Sequence, residues 1–422
     1  MRMHRCCYLT TVASLSLLLL AGADWPRFRG GGAAGVSQDT GVPARWSATE
    51  NVAWKTPMPG PGGSSPIVIG DRVLLTCYSG YGLSKDEPGE QKNLKHHLVC
   101  VNLADGKVLW DKTTRAKLPE QEYGGFVARH GYASGTPVSD GKAVYAFFGR
   151  SGVLAYSLEG EPLWQASVGD RTHGWGSGTS PILFGDLVIV NASVESESLV
   201  ALNKADGKEA WRLGPVVESW STPAIVELPD GARELVLSMK NKVLGIDPAT
   251  GKELWHCAGV RDYVCPAVVA RDGVVYISGG RTPYTVAIRA GGRGDVTDTR
   301  VVWEARKATK VPTPLVHEGR LYWIDQRGLA VCLDAKTGEP VYRERLRLSG
   351  SGDRIYASLV LAGDKLFGVS REDGTVVFAP GPEFRELARN RLGDESIFNG
   401  TPAIVDGRMV LRSDRFLYCI GH

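Results

Sequence analysis

Residues Leu98 to Trp110 read LVCVNLADGKVLW, a phrase that recurs along the rest of the chain. Alternating apolar residues around Leu98 and Cys100, the turn Ala104-Asp105-Gly106-Lys107 and a short apolar run closing on Trp110 spell strand, tight hairpin, strand. Copies stand at Val200–Trp211 (VALNKADGKEAW), Leu244–Trp255 (LGIDPATGKELW) and Val331–Tyr342 (VCLDAKTGEPVY), with a shortened one at Ala155–Trp164 (AYSLEGEPLW). Self-similarity at a period of tens of residues predicts a repeat architecture.

A second marker precedes each copy: Ser or Thr, then Pro, then an apolar run broken by a Gly-Asp or Asp-Gly turn. The markers are Ser65-Pro66, Thr136-Pro137, Ser180-Pro181, Thr222-Pro223, Cys265-Pro266 (Cys for Ser), Thr313-Pro314, Ala357-Ser358 (Pro lost) and Thr401-Pro402, eight in all. From Pro137 onward they are spaced by 42 to 48 residues, enough for four short strands and their turns. Proline cannot donate to a ladder, so it suits the first residue of a strand. The chain therefore reads as all-β, an eight-bladed β-propeller of four-stranded blades over residues 52–422. Two of its blades, those bearing Leu387 and Tyr342, lack the closing Trp.

Val52-Ala53-Trp54-Lys55 has the form of a fourth strand with no unit before it, while the last unit, Thr401 to Ile420, stops after its third. Joining the two closes the ring with an N-terminal strand and removes an exposed sheet edge. Residues 24–51, Gly-rich and punctuated by Trp25, Phe28 and Trp46, read as an irregular arm packed on the propeller. Residues 1–23 read as a cleaved secretory signal, with Arg2 and Arg5 before an apolar run and Ala21-Gly22-Ala23 as the cleavage site. The expected location is periplasmic or extracellular, with no membrane span. The formal charge of +3 falls to about +1 without the signal, a balance that predicts no nucleic-acid role.

Repeat alignment puts Cys100, Cys332 and Cys419 where other copies carry Ala155, Ala201, Gly245 and Ala287, a position for small residues. Buried free Cys behaves as a small hydrophobe. Cys257 and Cys265 flank a loop and could pair, with connectivity left open.

The combination of Ser/Thr-Pro, Gly-Asp turn, small residue in the third strand, Thr-Gly-Lys and Trp resembles the pyrroloquinoline quinone (PQQ)-type repeat of eight-bladed propellers, a family that includes quinoprotein dehydrogenases and BamB-type outer-membrane assembly factors. The resemblance covers nearly all of 52–422, and Trp25-Pro26-Arg27-Phe28-Arg29-Gly30 resembles the start of exported bacterial members. It implies the fold and leaves open two functions, a binding or assembly scaffold and a quinone-dependent oxidoreductase holding PQQ with Ca²⁺.

Within a blade the strands alternate, so the tight Gly-Asp turns share one face. The second-to-third loops and the links between blades share the other, and there lengths vary; the first unit is about 27 residues longer than its neighbours, in Tyr78–His97 and Thr113–Ala133. Binding is expected on that face. The links end in aromatic and polar residues that should ring the channel mouth: Arg129, His130 and Tyr132; His173 and Trp175; Trp220; Arg261 and Tyr263; Arg354 and Tyr356; Phe398 and Asn399. Such a mixture suits a small ligand or a segment of an envelope protein.

Quinone chemistry in that family implies adjacent cysteines, an aromatic floor, calcium held by acid and amide oxygens, and an Asp base. The adjacent pair in this chain, Cys6-Cys7, lies in the signal. Trp175 or Trp220 could form a floor and Asp262 or Glu218 could serve as base or calcium ligand, but no oxygen-rich cluster stands out, and no Cys-x-x-Cys-His haem site follows. His96-His97 is expected to be solvated in a charged loop, and Arg293-Gly294-Asp295 to lie in a lengthened turn. The reading is therefore a monomeric, exported binding scaffold with no catalytic or metal residues assigned, the PQQ/Ca²⁺ enzyme being the alternative.

Overall fold

Each repeat phrase folds as its alternation dictates. In the first unit, Lys95–Asn102 pairs antiparallel with Val108–Arg115, and Cys100 faces Trp110 across the ladder. The computed structural model describes residues 24–349 and 352–421, so the signal expected at 1–23 lies outside the described residues. Eight sheets follow one another around a ring, each built on four antiparallel strands, and two of them carry a fifth strand added in parallel. The ring closes as expected: Val52–Pro57 is the outer strand of the sheet formed by Ala403–Val405, Arg408–Arg412 and Phe416–Ile420.

Volume is matched across every third-to-fourth ladder. Cys100, Ala155, Ala201, Gly245, Ala287 and Cys419 face Trp110, Trp164, Trp211, Trp255, Trp303 and Trp54, and Cys332 faces Tyr342. In the seventh blade the bulge places Ala388, one residue past Leu387, opposite Val377, so the large and small partners exchange strands.

The indoles join neighbouring blades. Trp54 donates Nε1–H to the Leu103 carbonyl (2.8 Å), Trp110 to Leu158 (3.0 Å), Trp164 to Lys204 (2.7 Å), Trp211 to Pro248 (3.3 Å) and Trp303 to Ala335 (2.9 Å), each in the following blade. Trp255 differs because the next blade's third-to-fourth turn is lengthened around Arg293-Gly294-Asp295, and Gly294–Asp295 pairs in parallel beside Trp255–His256. Its indole lies over Gly245, where a Cβ would come within 2.0 Å, and donates to the buried carboxylate of Glu234 (2.7 Å).

The marker hydroxyls form a hydrogen-bonded hoop around the axis. The backbone N–H of Ser65 donates to Thr136 Oγ1 (2.9 Å), Thr136 to Ser180 (3.0 Å), Ser180 to Thr222 (3.1 Å), Thr313 to Ser358 (2.9 Å), Ser358 to Thr401 (2.9 Å) and Thr401 back to Ser65 (3.0 Å). In the fifth blade the donor to Thr313 is Ala267 N–H (3.0 Å), so Ala267-Val268 fills the marker position and Cys265-Pro266 lies two residues upstream. The reason is tertiary. The fourth and fifth links run side by side, Ser219 bridging Val264 in parallel, which holds Cys265 in the link.

All six described cysteines are free; Cys257 is buried between the fourth and fifth blades while Cys265 sits beside the channel, and they do not pair. His96 and His97 are not solvated. They lie in a strand, His96 stacked on Phe148 (4.6 Å) and His97 between Ser79 Oγ (2.8 Å) and Asp111 (2.9 Å).

Candidate functional site

The arm determines which end of the channel is open. Trp25 bridges Val68 on the first inner strand, and the Pro26 carbonyl accepts from Ser139 N–H in the second blade. Farther along, Val36–Ser37 adds in parallel to Val360–Ala362, the inner strand of the seventh blade. Asp24 and Asp39 cap the Gly70 and Gly407 turns. The segment thus crosses the tight-turn face, and Phe28 lines the channel's inner cavity together with the hydroxyl hoop. What remains is a blind well of about 300 Å³ opening on the link face.

Six of the residues expected at the mouth line this well: His130, Trp175, Trp220, Tyr263, Tyr356 and Asn399. Trp175 is the hub. Its ring centroid lies 4.9 Å from Trp220, 4.6 Å from Tyr263 at a right angle, and 5.1 Å from Phe126. His173 braces the pair from behind, edge-on to both indoles, and its Nδ1 accepts from Trp175 N–H (3.1 Å). Trp220 is fixed by its own Nε1–H to the Gly176 carbonyl (2.7 Å).

His130 ends the short helix Val127–His130, which stops at Gly131 with φ of 73°. A Cβ there would approach the Tyr78 ring to 2.1 Å, so glycine is required twice over. Nε2 of His130 lies 2.8 Å from the Trp175 carbonyl, which can only accept, so that nitrogen carries the proton. Burial lowers the imidazole's pKa and keeps it neutral.

Arg129 and Arg354 line a polar side cavity of about 430 Å³ that shares His130, Asp353 and Asn399 with the well. Arg129 pairs with Asp353. Asn399 donates to the Arg129 carbonyl (2.8 Å) and accepts from Arg371 Nε (3.0 Å), whose guanidinium lies over the Tyr356 ring (4.9 Å). The other three expected residues lie elsewhere. Tyr132 packs with Tyr78, Tyr81 and Tyr123, Phe398 is buried against Tyr418, and Arg261 is exposed and lines neither cavity.

Several lining residues escaped the reading of the links. Lys310 stands in the link three residues before Thr313, one residue upstream of the position that Trp220, Tyr356 and Asn399 hold in their blades, and Asp353 immediately precedes Arg354. Gln326 and Arg371 come from second-to-third turns, and Phe28 from the arm; nothing in the repeat pattern signals these three. Cys265 also faces the well, its thiol pushed by burial up to about 12 and so held protonated.

The chain matches the family described as outer membrane protein assembly factor BamB over residues 22–174, 94–339 and 293–415. The three matches overlap because a repeat can be laid on its neighbours in more than one register. The chain belongs to this PQQ-repeat family. Among solved structures, BamB from Moraxella catarrhalis superposes with a TM-score of 0.61 at 12% identity, covering 88% of this chain and 97% of that one. A europium-containing methanol dehydrogenase gives 0.60 at 11%, covering 94% and 89%, and the computationally designed Ika8 protein 0.54 at 10%, covering 87% and 98%. No curated protein matches the chain in sequence. An assembly factor, an oxidoreductase and a designed protein on one scaffold mean that these likenesses report the PQQ-repeat fold, and function has to be argued from the well.

A calcium-held quinone asks for roughly six to eight oxygen ligands on the metal. Asp353 is paired with Arg129, Asn399 accepts from Arg371, Asp262 from Arg281 N–H (3.0 Å), and Glu195, fully buried, from the Ser177 hydroxyl, while Glu218 lines neither cavity. Among the described residues no group of three or more His, Cys, Asp or Glu could hold a metal ion. This donor set does not fit calcium. No helix among the described residues is long and apolar enough to cross a membrane.

Proposed function

We propose that the chain is an exported, monomeric, non-catalytic binding scaffold of the cell envelope that receives a protein segment or small ligand at the mouth of its blind well. The observation that carries this reading is the well itself: aromatic walls around Trp175, with neighbouring acids and amides engaged in fixing one another. Pre-positioned rings supply contact area at little entropic cost. Asp353, Asp262 and Glu195 are each held by a neighbouring group, which favours structural roles for these acids. Export rests on the signal read at 1–23 and on the family's description as an outer membrane assembly factor.

The test is affinity purification of the tagged protein from its own envelope fraction, beside a Trp175→Ala/Tyr263→Ala variant that folds normally. The reading expects specific partners or ligands retained by the parent and lost at least about tenfold in the variant, as for aromatic anchors in an interface. Identical retention by both proteins would move binding away from the well.

A further inference from the structure

The hydroxyl hoop at the base of the well is satisfied in one sense only. Each of its seven hydroxyls accepts a backbone N–H from the neighbouring blade. Among the described residues none donates its own proton to a protein acceptor, while all seven line the cavity. A hydroxyl that accepts one N–H keeps its own proton and a second lone pair, so the hoop presents a circle of uncommitted donors to the lumen.

The charges agree with the hoop. Lys310 lines the same cavity and has no carboxylate within ion-pair distance among the described residues, whereas Asp353, the acid on the wall, is neutralised by Arg129. In the arm segment that supplies Phe28, Arg29 is 1% exposed; its Nη2 donates to the Ala34 carbonyl (2.9 Å), while its Nε and Nη1 find no acceptor among the described residues. A guanidinium buried without a carboxylate leaves positive potential at the closed end. Donors, an unpaired ammonium and a buried guanidinium at the base, with stacked aromatics at the mouth, define the chemistry that would fill the space.

We infer that the well binds a small aromatic carboxylate, acid group down against the hydroxyl hoop and Lys310, ring up against Trp175 and Tyr263. This rests on the binding-scaffold reading above and names the chemistry of its ligand. The charge-assisted hydrogen bonds at the base are what separate an acid from its neutral amide.

The probes are indole-3-acetate and indole-3-acetamide, titrated calorimetrically into the purified protein and into Lys310→Met, with a thermal melt to confirm folding. The inference expects saturable one-to-one binding of the acid, the amide at least about tenfold weaker, and Lys310→Met weakening the acid about tenfold while leaving the amide unchanged. Equal affinities for acid and amide would overturn it and leave the well as an aromatic binder. No binding of either probe, while the parent still retains partners that Trp175→Ala/Tyr263→Ala loses, would overturn it without touching the scaffold reading.

Discussion

At the scale of single residues, the eight closing positions show how a repeat tolerates exceptions. Five indoles rest on the next blade's hairpin glycine, Gly106, Gly160, Gly207, Gly251 or Gly338, where a Cβ would come within 3 Å of the ring. Trp255 has no such platform, and Gly245 provides one within its own blade. That exception was legible, since Gly245 is the one glycine in a column of Ala and Cys; what it meant was not, because the partner Glu234 sits in a strand that carries no motif. Trp255, fully buried, should cost about 3–5 kcal/mol on truncation to Ala, and half-buried Trp211 less. Denaturant midpoints check the pair, and an unmoved midpoint for Trp255→Ala contradicts the packing. A second residue gives a pH signature. Burial pushes the Glu195 carboxyl from its ordinary 4.5 up to about 7. Between those values the unfolded chain ionises while the folded chain keeps its proton, so stability falls as pH rises through the window. Glu195→Gln has no proton to lose, and the drop in unfolding free energy from pH 4 to pH 8 should shrink by up to ~3 kcal/mol. An unchanged slope in urea titrations at the two pH values would contradict this.

Elements show where a repeat's grammar ends. The ring-closing strand Val52–Pro57 was readable because it has the form of an outer strand with no blade before it, and Trp54 occupies the closing position opposite Cys419. The same seam holds a feature no pattern announces: Arg412, fully buried, donates to Ser64 Oγ (3.0 Å), the Thr76 carbonyl (2.7 Å) and Cys77 Sγ (3.6 Å) across the junction of the last and first blades. Arg412→Ala leaves buried acceptors without donors and should cost about 3 kcal/mol. Limited proteolysis should then cut first near the Val52–Pro57 strand; cleavage at the parent's rate would show that the strand pairing alone holds the seam. The arm was the least legible element. Its path across the tight-turn face depends on Val36–Ser37 joining a strand over three hundred residues away, and two residues of ordinary β propensity do not encode their partner. The fifth marker failed for a related reason: side-by-side links displace Cys265-Pro266, a tertiary effect on a local motif.

At the scale of the whole molecule, eight blades, one closed end and one aromatic mouth make a container whose position follows from the sequence and whose contents do not. The links that hold Trp175, Trp220 and Tyr263 are read from their place before each marker; the closed floor comes from the arm and converts a channel into a well. The resemblance leaves two readings of this scaffold open, a binding protein and a quinone enzyme that would hold PQQ with Ca²⁺. The measurement that separates them most directly is calorimetric titration of PQQ into the protein, with and without Ca²⁺. A binding scaffold with no cluster of metal-ligating side chains among its described residues predicts no calcium-dependent binding tighter than about micromolar, roughly −8 kcal/mol. Saturable one-to-one binding of that strength, lost when calcium is removed, would contradict it and make the well the site of an oxidoreductase.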